Sequence, residues 1–283
     1  MIERVVVVGP GRMGRAIGAA LLDSRALEQL TYFGRSVDPP AGLRGAYRTM
    51  PAATPSDTTI ILLAVPDSAL PAVAHDLAEA GPAPAGCAVL HLAGAAGVAV
   101  LAPLREAGYA TGSMHPLQTI ANPESTDLLL DGVAFAIDGD PVAVAAARRI
   151  VTALRGLPLT ISPAMRPLYH AAAVMVSNYT IALVHIGARL LVEAGVSEKD
   201  AVGALLPLLR GTVRNIEAQG LEDAMTGPIR RGDADTVRLH LAQLSGRERM
   251  LYCGLGLELL DQARAAGLAP ERAHRIETLL TSD

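Results

Sequence analysis

The sequence predicts an α/β doubly wound domain followed by an all-α C-terminal domain. Three observations carry this. Short continuous apolar runs alternate with helical Ala/Val/Leu segments through the first half, as in a parallel sheet covered on both faces. From Met165 onward no strand pattern recurs, only long helical ones. The length, 283 residues, fits two domains at about 150 residues each. The change of character falls at Ile161-Ser162-Pro163, which divides the chain into 1–162 and 163–283.

The elements follow in order. Arg4–Val8 is a strand of nearly pure valine, and Arg12–Leu22 is a helix. Thr31–Gly34 is a second strand. Thr59–Val65 (TIILLAV) is a buried strand stopped by Pro66, with Asp67 placed to cap the helix that follows. Ala88–Leu92, Tyr109–Ser113 and Val133–Ile137 are further strands. In the second half, helices break at Gly195, at Gly211, at Thr226-Gly227-Pro228 and at Gly267-Leu-Ala-Pro270.

Composition narrows the function. A net charge of −4 leaves no basic field for nucleic acid or anionic lipid. A hydrophobic content of 51% excludes a disordered chain, and with aromatics at 3% and no Trp the core must be aliphatic. Cys87 and Cys253 fit neither a disulfide framework nor a metal-ligand cluster, which points to a reducing, cytoplasmic setting. The apolar run Val5–Val8 is far too short for a secretory signal. Pro167–Ala188 carries no formal charge, yet His170, Ser177, Asn178 and His185 suit it poorly to lipid, so a buried helix and no membrane partner are expected.

Gly9-Pro-Gly11-Arg12-Met13-Gly14 is a GxGxxG that leaves a β-branched strand and opens a helix. In that context the first glycine permits the turn and the second lets a pyrophosphate approach the backbone. The third allows helix and strand to pack closely, and the helix N-terminus favours the anion. Dinucleotide binding outweighs a purely structural turn. The tip of the second strand reads Phe33-Gly34-Arg35-Ser36, where an NAD site carries an acidic residue. An arginine and a hydroxyl there suit a 2′-phosphate, so NADP (NADPH) is preferred over NAD, the alternative being a solvated loop arginine. Ala64-Val65-Pro66 and Ala93-Gly94 end two later strands, where small residues let a ribose and nicotinamide approach; ordinary tight turns would look similar.

At the reactive end, Ser113-Met114-His115-Pro116-Leu117-Gln118 follows a strand. His115 is the candidate proton or hydrogen-bond donor to a carbonyl, with Gln118 nearby; a histidine satisfied by its own loop is the alternative. On the helix near 168–193, His170, Ser177, Asn178 and His185 fall within about 100° of arc. Such a stripe faces a cleft, a subunit or water. In Thr226-Gly227-Pro228-Ile229-Arg230-Arg231-Gly232-Asp233, two arginines suit a carboxylate or phosphate, and Asp233 suits a helix cap.

Taken together these segments resemble the bacterial Rossmann-like proteins that carry the helical DUF2520 domain. The match rests on Gly9–Gly14 with Ala16-Ile17-Gly18, Ala64–Asp67, Leu92–Ala95, Ser113–Gln118, Leu168–Ala173, Ser177-Asn178-Tyr179 and Gly227–Asp233. The layout is also similar to pyrroline-5-carboxylate reductases, ketopantoate reductases, β-hydroxyacid dehydrogenases and prephenate dehydrogenases. That resemblance implies an NADPH-dependent reductase of a C=O or C=N bond in a small carboxylate, acting as a homodimer, with Gln118, His170 and Asn178 positioning the substrate and Arg230, Arg231 or Arg166 on its carboxylate. The β-hydroxyacid and ketopantoate enzymes place a lysine one turn before an asparagine that Asn178 resembles. Here that position is Val174, and Lys199 is the only lysine, which throws acid–base work onto His115 or His170. A prephenate- or arogenate-like dehydrogenase and a non-catalytic dinucleotide sensor are the competing readings.

Overall fold

A computed structural model describes residues 3–122 and 130–282. Two compact units result, Met1–Asn178 and Tyr179–Asp283. The first contains a sheet of β1 (Glu3–Val8), β2 (Leu27–Gly34), β3 (Ala46–Thr49), β4 (Ile60–Leu63), β5 (Ala88–His91), β6 (Ala110–Pro116), β7 (Ala134–Gly139) and β8 (Leu157–Thr160). Its order is β3-β2-β1-β4-β5-β6-β7-β8. The strands β1 to β6 run parallel. The chain builds outward from β1 in one direction and from β4 in the other, so the topological switch point lies between them.

Alternate residues of each central strand enter opposite cores. Val5, Val7, Ile60, Leu62 and Leu90 pack with α1 (Arg12–Asp23) and α4 (Pro141–Ala153). Val6, Val8, Ile61, Leu63 and Val89 pack with α2 (Leu70–Glu79) and α3 (Ala102–Glu106). Both faces are covered, which is why these strands are continuously apolar in sequence.

Several elements depart from the sequence reading. β7 runs antiparallel to β6 and draws Met114, His115 and Pro116 into pairing with Ile137, Ala136 and Phe135. His115 thus sits in the last turns of a strand rather than in a loop beyond it. β3 and β8 carry no legible pattern: each is a four-residue strand at a sheet edge, and β8 contains Pro158 and is exposed throughout. Asp67 does not cap α2. It opens a 3₁₀ turn, Asp67–Ala69, and the helix proper starts at Leu70, where Pro71 fits a first turn that needs no donor.

The helical half comprises α5 (Arg166–Glu193), α6 (Glu198–Ala224), α7 (Pro228–Arg231), α8 (Ala234–Gln243), α9 (Gly246–Ala265) and α10 (Pro270–Thr281). α5 crosses from the first compact unit into the second. The second unit's core joins Ile229, Val237, Leu241, Leu260, Ile276 and Leu280. Gly195, Gly227 and Gly267 sit at the expected breaks with positive φ, but Gly211 lies inside α6, whose non-helical residue is Gly220 instead. Asp233 does cap α8, accepting from the Thr236 N–H at 3.1 Å. α5 is not the buried helix expected: Pro163–Glu193 is long and apolar enough to cross a membrane, and its apolar window is only 6% buried. Being apolar on most of its circumference, it leaves Leu168, Val176 and Ile181 exposed.

Leu62 is enclosed at the centre of the sheet, between β1 and β5. Leu62→Ala should lower unfolding free energy by about 2–5 kcal/mol. A shifted urea midpoint at unchanged denaturant slope would verify this.

Candidate functional site

The glycine turn joins β1 to α1, and its three glycines do three different things. Gly9 adopts φ +94°, and a Cβ there would press to 2.6 Å from the Ala64 carbonyl oxygen. A Cβ on Gly14 would overlap the Gly9 carbonyl oxygen and crowd Ala64 and Val7. Gly11, by contrast, has nothing within 4 Å of its Cβ position, so the turn is open to solvent there. Gly11 also serves as the N-cap of α1 without any side-chain cap bond. The N–H groups of the first turn, around Arg12 and Met13, therefore remain to meet an anion. Ala64, Val65 and Pro66 lie opposite: the Ala64 N–H donates to Val8 O at 2.8 Å, which presses the end of β4 onto the turn.

The loop after β2 is held by a strand that the sequence reading missed. The Tyr47 hydroxyl of β3 donates to Ser36 O at 2.7 Å, and Thr49 Oγ1 donates to the same oxygen at 3.2 Å. A Cβ on Gly34 would overlap the Tyr47 hydroxyl, so a larger residue there would displace the Tyr47 ring. Arg35 and Ser36 are exposed beyond it. Arg35 makes no ion pair or hydrogen bond among the described residues, which leaves its guanidinium available to a phosphate.

A polar cluster occupies the C-terminal ends of β5 and β6. His115 Nδ1 and the Tyr169 hydroxyl are 2.8 Å apart. The His115 and His170 rings meet edge to face at 5.8 Å. Gly94 lets them close: a Cβ there would overlap His170 Nδ1 and reach 3.0 Å from His115 Nε2. His170 Nδ1 is buried without a hydrogen-bond partner among the described residues. Beneath lie Arg166, which the sequence offered beside Arg230 and Arg231 as a group for the substrate carboxylate, and His91, which it did not single out. His91 is fully enclosed, and its Nδ1 accepts from the Ala93 N–H at 3.3 Å. Arg166, also fully enclosed, donates to Ser113 Oγ at 2.7 Å and to Ala93 O at 3.0 Å. A charged residue opening an apolar helix was the only signal in the sequence.

Burial lowers His115 to about 4, with His170 and Arg166 adding to the effect. His91 falls to about 4 for the same first reason, followed by Arg166 and His115. Burial raises the Tyr169 phenol. Near neutral pH His91 and His115 are thus neutral, Tyr169 is a protonated phenol and Arg166 is a cation.

Not every candidate joins the cluster. Gln118 is exposed, its Oε1 accepting from the Thr119 N–H at 2.9 Å. Ser177 and Asn178 lie roughly 10–12 Å further along α5 from His170, half-buried and exposed respectively. His185 is exposed as well.

Residues 3–116 match the Rossmann-like domain, and residues 133–259 match the Domain of unknown function (DUF2520). The chain carries a Rossmann-like domain followed by a DUF2520 domain. The Rossmann-like match stops at the end of β6, and the DUF2520 match takes in β7, α4 and β8 before the helices. His115 therefore comes from the first and Arg166, Tyr169 and His170 from the second. No curated protein matches the chain. Among solved structures, protein TM1727 from Thermotoga maritima is 21% identical at TM-score 0.74, over 92% of this chain and 98% of that one. A Bacteroides fragilis protein provisionally described as an NADP oxidoreductase is 19% identical at TM-score 0.67, over 98% of each chain. The Plasmodium falciparum pyrroline carboxylate reductase, solved with NADP bound, is 14% identical at TM-score 0.61, over 99% and 100%. These likenesses are of fold.

The two depressed imidazoles make stability pH-dependent. Between the usual histidine value of 6.5 and about 4, the unfolded chain binds more protons than the native one. Stability should therefore be full above this window and fall as pH drops through it. Urea midpoints measured across the window should show that loss, and His115→Asn should flatten part of it.

Proposed function

We propose that this protein is an NADPH-dependent reductase of a C=O or C=N bond in a small carboxylate. The observation that carries the reading is the His115–Tyr169–His170 cluster around Gly94, set on the same edge of the sheet as the open glycine turn. Open-sheet α/β proteins bind their ligands along that edge. The solved relatives described as NADP oxidoreductase or NADP-bound reductase lend the same fold to it.

The glycine turn and the first turn of α1 fit a pyrophosphate, and Arg35 with Ser36 fits a 2′-phosphate in place of the acid that would select NAD. The cofactor, when bound, supplies hydride chemistry. The chain's own part is to orient and to donate. Tyr169 sets the His115 ring through Nδ1, which places Nε2 beside Gly94. His115 Nε2 there offers an N–H to charge developing on the substrate oxygen or nitrogen, and His170 Nδ1 supplies a second buried group in need of a partner. Arg166 is fully enclosed and engaged with Ser113 and Ala93, which argues against the sequence expectation that it meets the substrate carboxylate. The free thiols Cys87 and Cys253 accord with a cytoplasmic setting.

Calorimetric titration with NADPH and NADH tests this directly, since the absence of Trp removes intrinsic indole fluorescence. NADPH should bind in preference, and Arg35→Ala should remove the preference. His115→Ala should retain binding but lose turnover on keto acids or cyclic imines by roughly 100-fold or more. Binding of neither nucleotide would overturn the reading, and binding without hydride transfer to any such substrate would make the protein a sensor.

We also propose a homodimer. α5 exposes Leu168, Met175, Val176 and Ile181, and α6 exposes Leu208 and Leu221, large apolar side chains of the kind that subunit interfaces cover. A second copy offers the same surface in return, as a two-fold interface requires. Light scattering behind size exclusion should give twice the 29.3 kDa chain mass. A monomer in dilute buffer, or recovery only with detergent, would count against it.

A further inference from the structure

Arg166 is the largest fully enclosed side chain in the described structure. Enclosed cations are ordinarily paired with a carboxylate, because desolvation costs several kcal/mol otherwise. No carboxylate lies within ion-pair distance of Arg166 among the described residues. Its Nε has no hydrogen-bond partner among them either. What balances it are two dipoles, the Ser113 hydroxyl and the Ala93 carbonyl, with Asp138 of β7 and Asp67 acting over a longer range. So unusual a cation sits directly behind the cluster.

The Ala93 peptide is held from both sides. Its carbonyl takes the Arg166 guanidinium, and its N–H donates to His91 Nδ1. That second bond exists only while His91 is neutral, because a protonated ring has no acceptor nitrogen. The next residue is Gly94, the surface against which His170 Nδ1 and His115 Nε2 are packed. Ser113, on the other arm of Arg166, is two residues from His115 on the same strand.

We propose that Arg166 is a positioning residue that clamps the Ala93 peptide against His91 and fixes the Gly94 edge beneath His115 and His170. A guanidinium cannot shed its proton, so it opposes every additional cation placed nearby. The groups facing His115 are Arg166, Tyr169 and His170 from α5 and His91 from β5, and Arg166 alone among them is permanently charged. In catalytic terms, which rest on the reductase reading above, His115 works as an uncharged hydrogen-bond donor to a developing anion rather than as an imidazolium acid. Neutral imidazole is an established electrophile of that kind.

The test is NMR titration of the histidines in the full chain, free of cofactor. In the wild type, His115 should remain neutral until well below the ordinary histidine range. Arg166→Met removes the charge and should move the His115 midpoint up by about half a unit to one unit. Ser113→Asp keeps the arginine but sets a carboxylate against it, and should move the midpoint the same way. The second variant retains a paired interior should the first not fold. A wild-type His115 midpoint near 6.5, or a folded variant of either kind with an unmoved midpoint, would overturn the proposal. With substrate, the Arg166→Met pH–rate profile should gain an acid limb closer to neutrality, with kcat falling more than KM rises. The NMR arms need neither nucleotide nor substrate, so loss of the reductase reading would leave them standing.

Discussion

The ligand edge of the first unit depends on one close backbone approach. Gly9 and Gly14 bring the β1–α1 turn against Ala64 at the end of β4, with the Gly9 Cβ position only 2.6 Å from a carbonyl oxygen. No side chain fits at either glycine, so turn, helix and neighbouring strand share one set of coordinates. That approach falls at the switch point of the sheet, where β2 and β3 depart one way and β5 and β6 the other. The crevice is thus a consequence of strand order, and the small residues at Ala64, Ala93 and Gly94 keep it open.

The polar cluster at the ends of β5 and β6 follows a different logic. Apolar packing could have filled the space behind Gly94 more cheaply than an arginine and a histidine. Instead, the interior holds a cation whose only direct partners are neutral oxygens, next to two rings that resist protonation. Such an arrangement costs stability, since an enclosed cation without a carboxylate forgoes most of its hydration. It also joins the two domain families within one compact unit, since β6 and the start of α5 each supply half of it.

Much of this was legible in the chain. The valine run, the glycine spacing and the apolar strands dictated the doubly wound domain, because a strand buried on both faces can tolerate little else. Gly9 and Gly14 meet the steric demands their positions implied, while Gly11 leaves its side of the turn open. His115 and His170 were visible as polar groups in apolar surroundings, and Asp233 as a cap. β3 and β8 were not, because short edge strands need no apolar alternation. Nor was the extension of β6 through His115, which is imposed by the reversed β7 from more than a dozen residues downstream.

What the sequence by itself determined is therefore local: strand and helix periods, the glycine turn, and the arginine in place of an acid after β2. Each follows from the chemistry of a few neighbouring residues. Only the tertiary structure decided which polar groups meet. Ala93, Ser113 and Arg166 lie far apart in the chain, and hydrogen bonds of 2.7 and 3.0 Å between them arise only when β5, β6 and α5 are packed. The same packing separated His170 from Ser177 and Asn178, since a shared helical face fixes direction while the 1.5 Å rise per residue still carries groups apart along the axis.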